Sequence, residues 1–122
     1  MKHVMNATPP SNFMRLENKV IIVTGSCTGI GKAIAKRCVA EGARVVIHGL
    51  EADLAKEVVA EIGADKAVSH VEDLTNEDCP EKLVALATAS FGRLDAIVNN
   101  AAMVAASNIH TTDLTFFRKM LE

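Results

Sequence analysis

Val20-Ile21-Ile22-Val23-Thr24-Gly25-Ser26-Cys27-Thr28-Gly29-Ile30-Gly31 sets a β-branched run directly against a turn that holds three glycines. The turn leads into Ala33-Ile34-Ala35, an alanine-rich stretch at helical spacing. A strand, a glycine turn and a helix in that order bring the first free N–H groups of the helix to the carboxyl end of the strand, where a phosphate anion fits. Glycine permits the sharp turn and leaves room for a pyrophosphate where a Cβ would collide. The spacing is Gly-x-x-x-Gly-x-Gly, distinct from the common Gly-x-Gly-x-x-Gly fingerprint. It also departs from the NTPase phosphate loop, whose glycines stand closer together and are followed by Lys and Ser/Thr. Here five residues separate Gly25 from Gly31, and Ala33 follows Lys32, so no hydroxyl is placed for Mg²⁺. A glycine trio alone can make a tight turn and nothing more, so its surroundings decide the reading.

Working outward, short β-branched runs alternate with longer helical ones, the pattern of βαβ units and a parallel sheet. The first strand spans residues 19–24. A helix over 30–41 carries Ile30, Ala33, Ile34 and Cys38 on one face and stops at Gly42. A second strand runs from Arg44 to His48, and a helix over 51–62 turns Leu54, Ala55, Val58, Val59 and Ile62 inward before Gly63. A third strand covers Ala67 to Val71. Thr75 and Asp78 have the spacing of a capping box, whereas Pro80 marks the first turn of a helix starting later; both readings stay open. That helix ends at Gly92, Leu94 to Val98 makes a fourth strand, and Thr112 or Asp113 caps a last helix still running at Glu122. Right-handed crossovers predict a strand order of 3-2-1-4 in a doubly wound α/β sheet, Rossmann-like, partial, and incomplete at the strand-four edge.

At 122 residues and 49% hydrophobic, the chain can bury one core and is too short for two ordinary domains. Residues 1–13, with Asn6, Pro9, Pro10, Ser11 and Asn12, read as a flexible lead-in, and 14–122 as the domain, so that Met14 is a candidate initiator. The lead-in has neither the pattern of a signal peptide nor the length of a membrane span. A net charge of −2 gives no footprint for nucleic acid. The three cysteines, Cys27, Cys38 and Cys79, are odd in number and form no Cys-x-x-Cys pair, which points to free thiols and a cytoplasmic setting. His3, His48, His70 and His110 lack metal-ligand spacing and read as surface or strand-end residues, with no metal site expected.

The run from Thr24 to Gly31 resembles the cofactor motif of the short-chain dehydrogenase/reductase family. Asp73, in Asp73-Leu74-Thr75 after the third strand, matches the family's acidic residue that hydrogen-bonds the adenine ring. Asn99-Asn100-Ala101-Ala102 matches the family's Asn-Asn-Ala-Gly motif, with Ala102 in place of the last glycine. The resemblance covers Arg15 to Glu122. It implies a nicotinamide dinucleotide, a small alcohol or carbonyl substrate and a homo-oligomeric parent. The residues have plainer readings too: Asp73 can cap the next helix, Asn99 and Asn100 can form an Asx turn, and a side-chain amide there can tie neighbouring strand ends together.

Cofactor choice turns on the end of the second strand, where a carboxylate takes the ribose hydroxyls and a cation accepts a 2′-phosphate. The family's position for the selecting acid falls on Gly49, and the following position, often basic in NADP enzymes, on Leu50. Glu51 stands near the interval expected for an acid, and no Arg or Lys lies between Gly25 and Gly31, which favours NAD over NADP. Glu51 can equally be a first-turn helix acid complementing the dipole. The candidate cofactor contacts are therefore Gly25, Ser26, Thr28, Gly29, Ile30, Gly31, Glu51, Asp73, Leu74, Asn99 and Ala101. No catalytic residue is assigned: the family's proton transfer rests on a Tyr-x-x-x-Lys pair and a Ser, and this chain has no tyrosine. The expectation is the cofactor-binding, apparently truncated part of an NAD(P)-dependent oxidoreductase, inactive alone and prone to aggregate at the strand-four edge. The alternative is a non-catalytic dinucleotide-binding or scaffold chain.

Overall fold

The computed structural model describes residues 14–101. Four parallel strands, β1 (Val20–Val23), β2 (Arg44–Gly49), β3 (Ala67–Val71) and β4 (Ala96–Val98), form one sheet in the order β3-β2-β1-β4. Helices α1 (Gly29–Ala40), α2 (Ala52–Ile62) and α3 (Cys79–Phe91) make the crossovers. The register pairs Val23 with Ile47 on one side and with Val98 on the other, which aligns the carboxyl ends of the three strands.

β1 is buried along its whole length because helices cover both faces of the sheet, as parallel sheets require. Ile21, Val23, Val45 and Ile47 point to one face, where Ala35 of α1 and Ala55 and Val58 of α2 complete a core cluster. Val20, Ile22 and Val46 point to the other, against Cys79, Leu83 and Ala87 of α3. The period-two alternation of a single β-branched run thus fills two cores.

Two local expectations change, and one open reading is decided in favour of Pro80. The inward face of α1 is Gly31, Ile34, Ala35, Cys38 and Val39, while Ile30 is 74% exposed and Ala33 is also exposed. Gly31 sets this phase: it is buried behind the turn at residues 24–28, and positions four and eight later necessarily follow it inward. The third helix starts at Cys79 with Pro80 in its first turn, and Thr75 donates to Asp73 rather than capping a helix. β4 begins at Ala96, not Leu94, because Leu94 packs beneath α3 and Asp95 fixes the strand entry. The Asp95 carboxylate accepts the Val20 N–H at 2.8 Å and is held by Arg93 at 2.6 and 2.9 Å. Among the described residues β3 and β4 are the two edge strands of the sheet, and Ile97 in β4 is 48% exposed. The helix expected from Thr112 or Asp113, and Ala102, lie outside the described residues. No helix among those described is long and apolar enough to cross a membrane.

Candidate functional site

β1 lies between β2 and β4; α1 leaves it on one face of the sheet, while α3, which carries the chain from β3 back to β4, covers the other face. The carboxyl ends of β1 and β4 are therefore the switch point at which a doubly wound sheet leaves a crevice. A cleft of about 510 Å³ opens there, bounded by the glycine turn, by the end of β2 from His48 to Glu51, and by Asn100 and Ala101 beyond β4. Thr28, the N-cap of α1, makes no side-chain cap bond. The first N–H groups of the helix have no intrahelical partner, and Thr28, Gly29 and Ile30 line the cleft. That arrangement suits an anion.

Gly25 has φ of 63°, and both of its backbone polar groups are taken by side chains from the neighbouring strands. Its N–H donates to His48 Nδ1 at 3.0 Å, and its carbonyl accepts from Asn100 Nδ2 at 3.1 Å. Because His48 Nδ1 is an acceptor, the proton sits on Nε2, which donates to the Glu72 carbonyl at 2.9 Å. The Ser26 hydroxyl accepts the His48 N–H at 3.0 Å, and the Ser26 N–H donates to the His48 carbonyl at 2.8 Å. On the β4 side the Thr24 hydroxyl accepts the N–H groups of Asn100 and Ala101, each at 3.0 Å. The turn is held open from both sides before any ligand arrives. Gly31 closes it from behind: a Cβ there would meet the Gly25 carbonyl oxygen and come within 2.5 Å of Asn100 Nδ2.

The expected contacts divide by place. Gly25, Thr28, Gly29, Ile30, Glu51 and Ala101 line the cleft. Ser26 is fully buried beside His48, and Gly31 is buried behind the turn. Asp73 and Leu74 follow β3 and do not line the cleft; Leu74 packs into the core beneath α3, and Asp73 Oδ1 accepts the Thr75 N–H at 2.9 Å and its hydroxyl at 2.7 Å. Those two bonds hold the Asp73 carboxyl below its ordinary range. Asn99 is exposed and also lies outside the lining. Sequence reasoning missed Thr24, His48 and Asn100 as the parts that shape the turn. The amide tie between strand ends was one of its open readings, and Asn100 makes it.

Cys27 is 7% exposed and sits under the end of β2. Burial first, and then the Glu51 carboxylate, push its thiol pKa up, so it is protonated near neutrality. A Cβ at Gly49 would strike Cys27 Sγ, which explains why the position matching the family's selecting acid carries no side chain. Among the described residues that line the cleft, Glu51 brings the charge and no Lys or Arg offsets it.

Fold and site together define a doubly wound, Rossmann-like α/β unit with a glycine turn and an uncapped helix start at its switch point. The short chain dehydrogenase family profile matches residues 19–122, and the chain belongs to that family. The NADP-dependent (R)-specific alcohol dehydrogenase of Lentilactobacillus kefiri is 38% identical over 108 residues, 88% of this chain and 43% of that protein. The meso-2,3-butanediol dehydrogenase of Serratia marcescens is 34% identical over 111 residues, 88% of this chain and 43% of that protein. The crystal structure of a short-chain dehydrogenase/reductase, a glucose/ribitol dehydrogenase, from Brucella melitensis superposes with a TM-score of 0.81 at 28% identity. That match covers 89% of this chain and 46% of the Brucella one. The chain therefore spans less than half the length of these relatives.

Proposed function

We propose that this chain is the cofactor-binding part of an NAD(P)-dependent oxidoreductase that transfers hydride between nicotinamide and an alcohol or carbonyl substrate. The observation that carries the proposal is the glycine turn at the switch point, fixed by His48 and Asn100 with the start of α1 beside the cleft. The residues present fit such a cofactor. Gly25, Thr28, Gly29 and Ile30 would receive its pyrophosphate, with Ser26 and Gly31 shaping the turn behind them. Glu51 would accept from a ribose and Ala101 would border the nicotinamide, whereas Asp73 and Leu74 toward the adenine, and Asn99 toward the nicotinamide, would be met only by parts of the cofactor that extend past the cleft lining. The nicotinamide supplies the hydride when bound; this chain's residues bind and orient it.

NAD is the preferred form in this proposal, because a 2′-phosphate at the cleft would face Glu51 without a cation. The Lentilactobacillus relative uses NADP, so the preference rests on Glu51 of this chain and not on kinship. The same reading makes the protein cytoplasmic, from its free Cys27, Cys38 and Cys79, and a homo-oligomer in its parent form. A second reading is a non-catalytic dinucleotide-binding or scaffold chain.

NADH fluorescence titration of the 122-residue chain, with turnover assayed on a panel of carbonyl compounds, tests both. Saturable binding without turnover is expected, together with self-association through the exposed β4 edge. Lack of NADH binding overturns the cofactor proposal, and turnover above background overturns the view that the proton-transfer groups are not in this chain. A longer gene product carrying Tyr-x-x-x-Lys that is active favours the enzyme over the second reading.

A further inference from the structure

Away from the cleft, the fold gathers three metal-ligating side chains that sequence spacing did not suggest. His70 and Glu72 are at and just beyond the end of β3, and Cys79 is the first residue of α3. Their ligand atoms all lie within 4.8 Å of one another. His70 Nε2 stands 2.7 Å from Glu72 Oε1, and Cys79 is fully buried beneath the pair. We propose that His70, Glu72 and Cys79 form a divalent transition-metal site, zinc by its chemistry, that clips the end of β3 to the start of α3.

One nitrogen, one carboxylate oxygen and one thiolate sulfur are a donor set that zinc accepts, whereas magnesium and calcium want oxygen alone. A tetrahedral zinc with bonds of about 2.0–2.3 Å needs its ligands roughly 3.3–3.8 Å apart. The His70–Glu72 contact therefore opens by about 0.6 Å, within the freedom of two side chains that are 27% and 13% exposed. On binding, Cys79 gives its thiol proton to solvent, and thiolate plus carboxylate balance the two metal charges. Water fills the fourth position on the exposed side.

Two further contacts suit the exchange. Asn76 Nδ2 donates to Glu72 Oε2 at 3.0 Å, the outer hydrogen bond that orients a ligating carboxylate. Lys82, 3.4 Å from Glu72 Oε2, has a second acid at the same distance, Asp78 Oδ2, so its displacement leaves no unpaired charge. The ligands enclose Asp73 to Asp78, and occupancy would restrain that loop.

Cobalt(II) and zinc titrations of the 122-residue chain test the site. One Co²⁺ per chain should bind with a thiolate-to-cobalt charge-transfer band, and Zn²⁺ should displace it. Cys79→Ser should abolish the band, and His70→Gln should weaken binding by more than about 100-fold, since even outer-shell changes cost 10- to 100-fold. His70 is part-exposed, so His70→Gln decides the matter if Cys79→Ser fails to fold. Absence of stoichiometric binding, a band that forms in His70→Gln at unchanged cobalt affinity, or one that vanishes only in Cys27→Ser or Cys38→Ser, overturns the proposal.

Discussion

Replacing Gly31 by alanine adds one methyl group at the position that closes the glycine turn. The new Cβ would meet the Gly25 carbonyl oxygen, stand 2.9 Å from its carbon and 2.5 Å from Asn100 Nδ2. Backbone and a hydrogen-bonded amide are its neighbours, so neither can swing clear cheaply. Overpacking of this kind costs about 1–3 kcal/mol. Loss of the 3.1 Å Asn100–Gly25 bond adds about 0.5–1.5 kcal/mol. Against this, alanine gains about 1 kcal/mol over glycine within a helix. A net loss near 2 kcal/mol follows, which lowers the melting temperature by about 8–16 °C in a domain this small. NADH affinity should fall with it, by about tenfold for each 1.4 kcal/mol of distortion carried into the bound turn. Ala33→Ser, on the exposed side of α1, is the matched control and should change stability by no more than about 0.5 kcal/mol. Thermal unfolding and NADH fluorescence titration read both effects. An unchanged melting temperature with unchanged affinity in Gly31→Ala would refute the account of how the turn is closed.

Glu51→Arg should move cofactor preference toward NADPH by about 10- to 100-fold in relative affinity, removing a repulsion of about 1–3 kcal/mol and supplying a cation; parallel NADH and NADPH titrations showing no change of ratio exclude Glu51 from the ribose site. Gly49→Asp should destabilise the fold through its collision with Cys27, and Cys27→Gly in the same chain should recover most of the loss. Additive melting-temperature changes in that double-mutant cycle would show that the two positions are not coupled. Glu72 is lowered from 4.5 to about 2 by its hydrogen bonds from His70, then Asn76, then Lys82. The unfolded chain therefore binds more protons between those values, so its stabilising share is complete above about pH 5 and is lost as pH falls toward 2. Glu72→Gln should flatten the acid limb of a pH–stability profile, and an unaltered limb would remove Glu72 from the account.

The strand order was legible because hydrophobic period and turn chemistry agree along this chain. Each of the first three β-branched runs is followed by a helix that a glycine ends, and right-handed crossovers leave few ways to arrange the strands. α2 was read with its inward face correct because Leu54, Ala55, Val58, Val59 and Ile62 form one stripe. α1 was not, because alanines and glycines give a weak stripe and its phase is set by the contact of Gly31 with residues far along the chain. The lining of the cleft by Gly25, Thr28, Gly29 and Ile30 came from local spacing. The bonds that shape it came from Asn100 and His48, 75 and 23 residues from Gly25, a distance that no local pattern spans. The trio His70, Glu72 and Cys79 was hidden for the same reason, since the loop from Asp73 to Asp78 separates its members in sequence and not in space.

Those long-range bonds place the control of the turn outside the glycine motif. Gly25 has no side chain with which to hold its own conformation, and at φ of 63° it gains nothing from the helix that follows. Its N–H depends on a buried imidazole of β2, and its carbonyl on an amide beyond β4. The imidazole depends in turn on the Glu72 carbonyl, which keeps the proton on Nε2 and the lone pair of Nδ1 turned toward Gly25. A chain of three hydrogen-bonded groups thus runs from the end of β3 through β2 to the anion site. It ends at Glu72, the residue that also anchors His70, Asn76 and Lys82 through its side chain. The geometry of the turn is consequently a property of the whole sheet end, and substitutions at His48 or Asn100, which also border the cleft, should change the shape that the turn presents there.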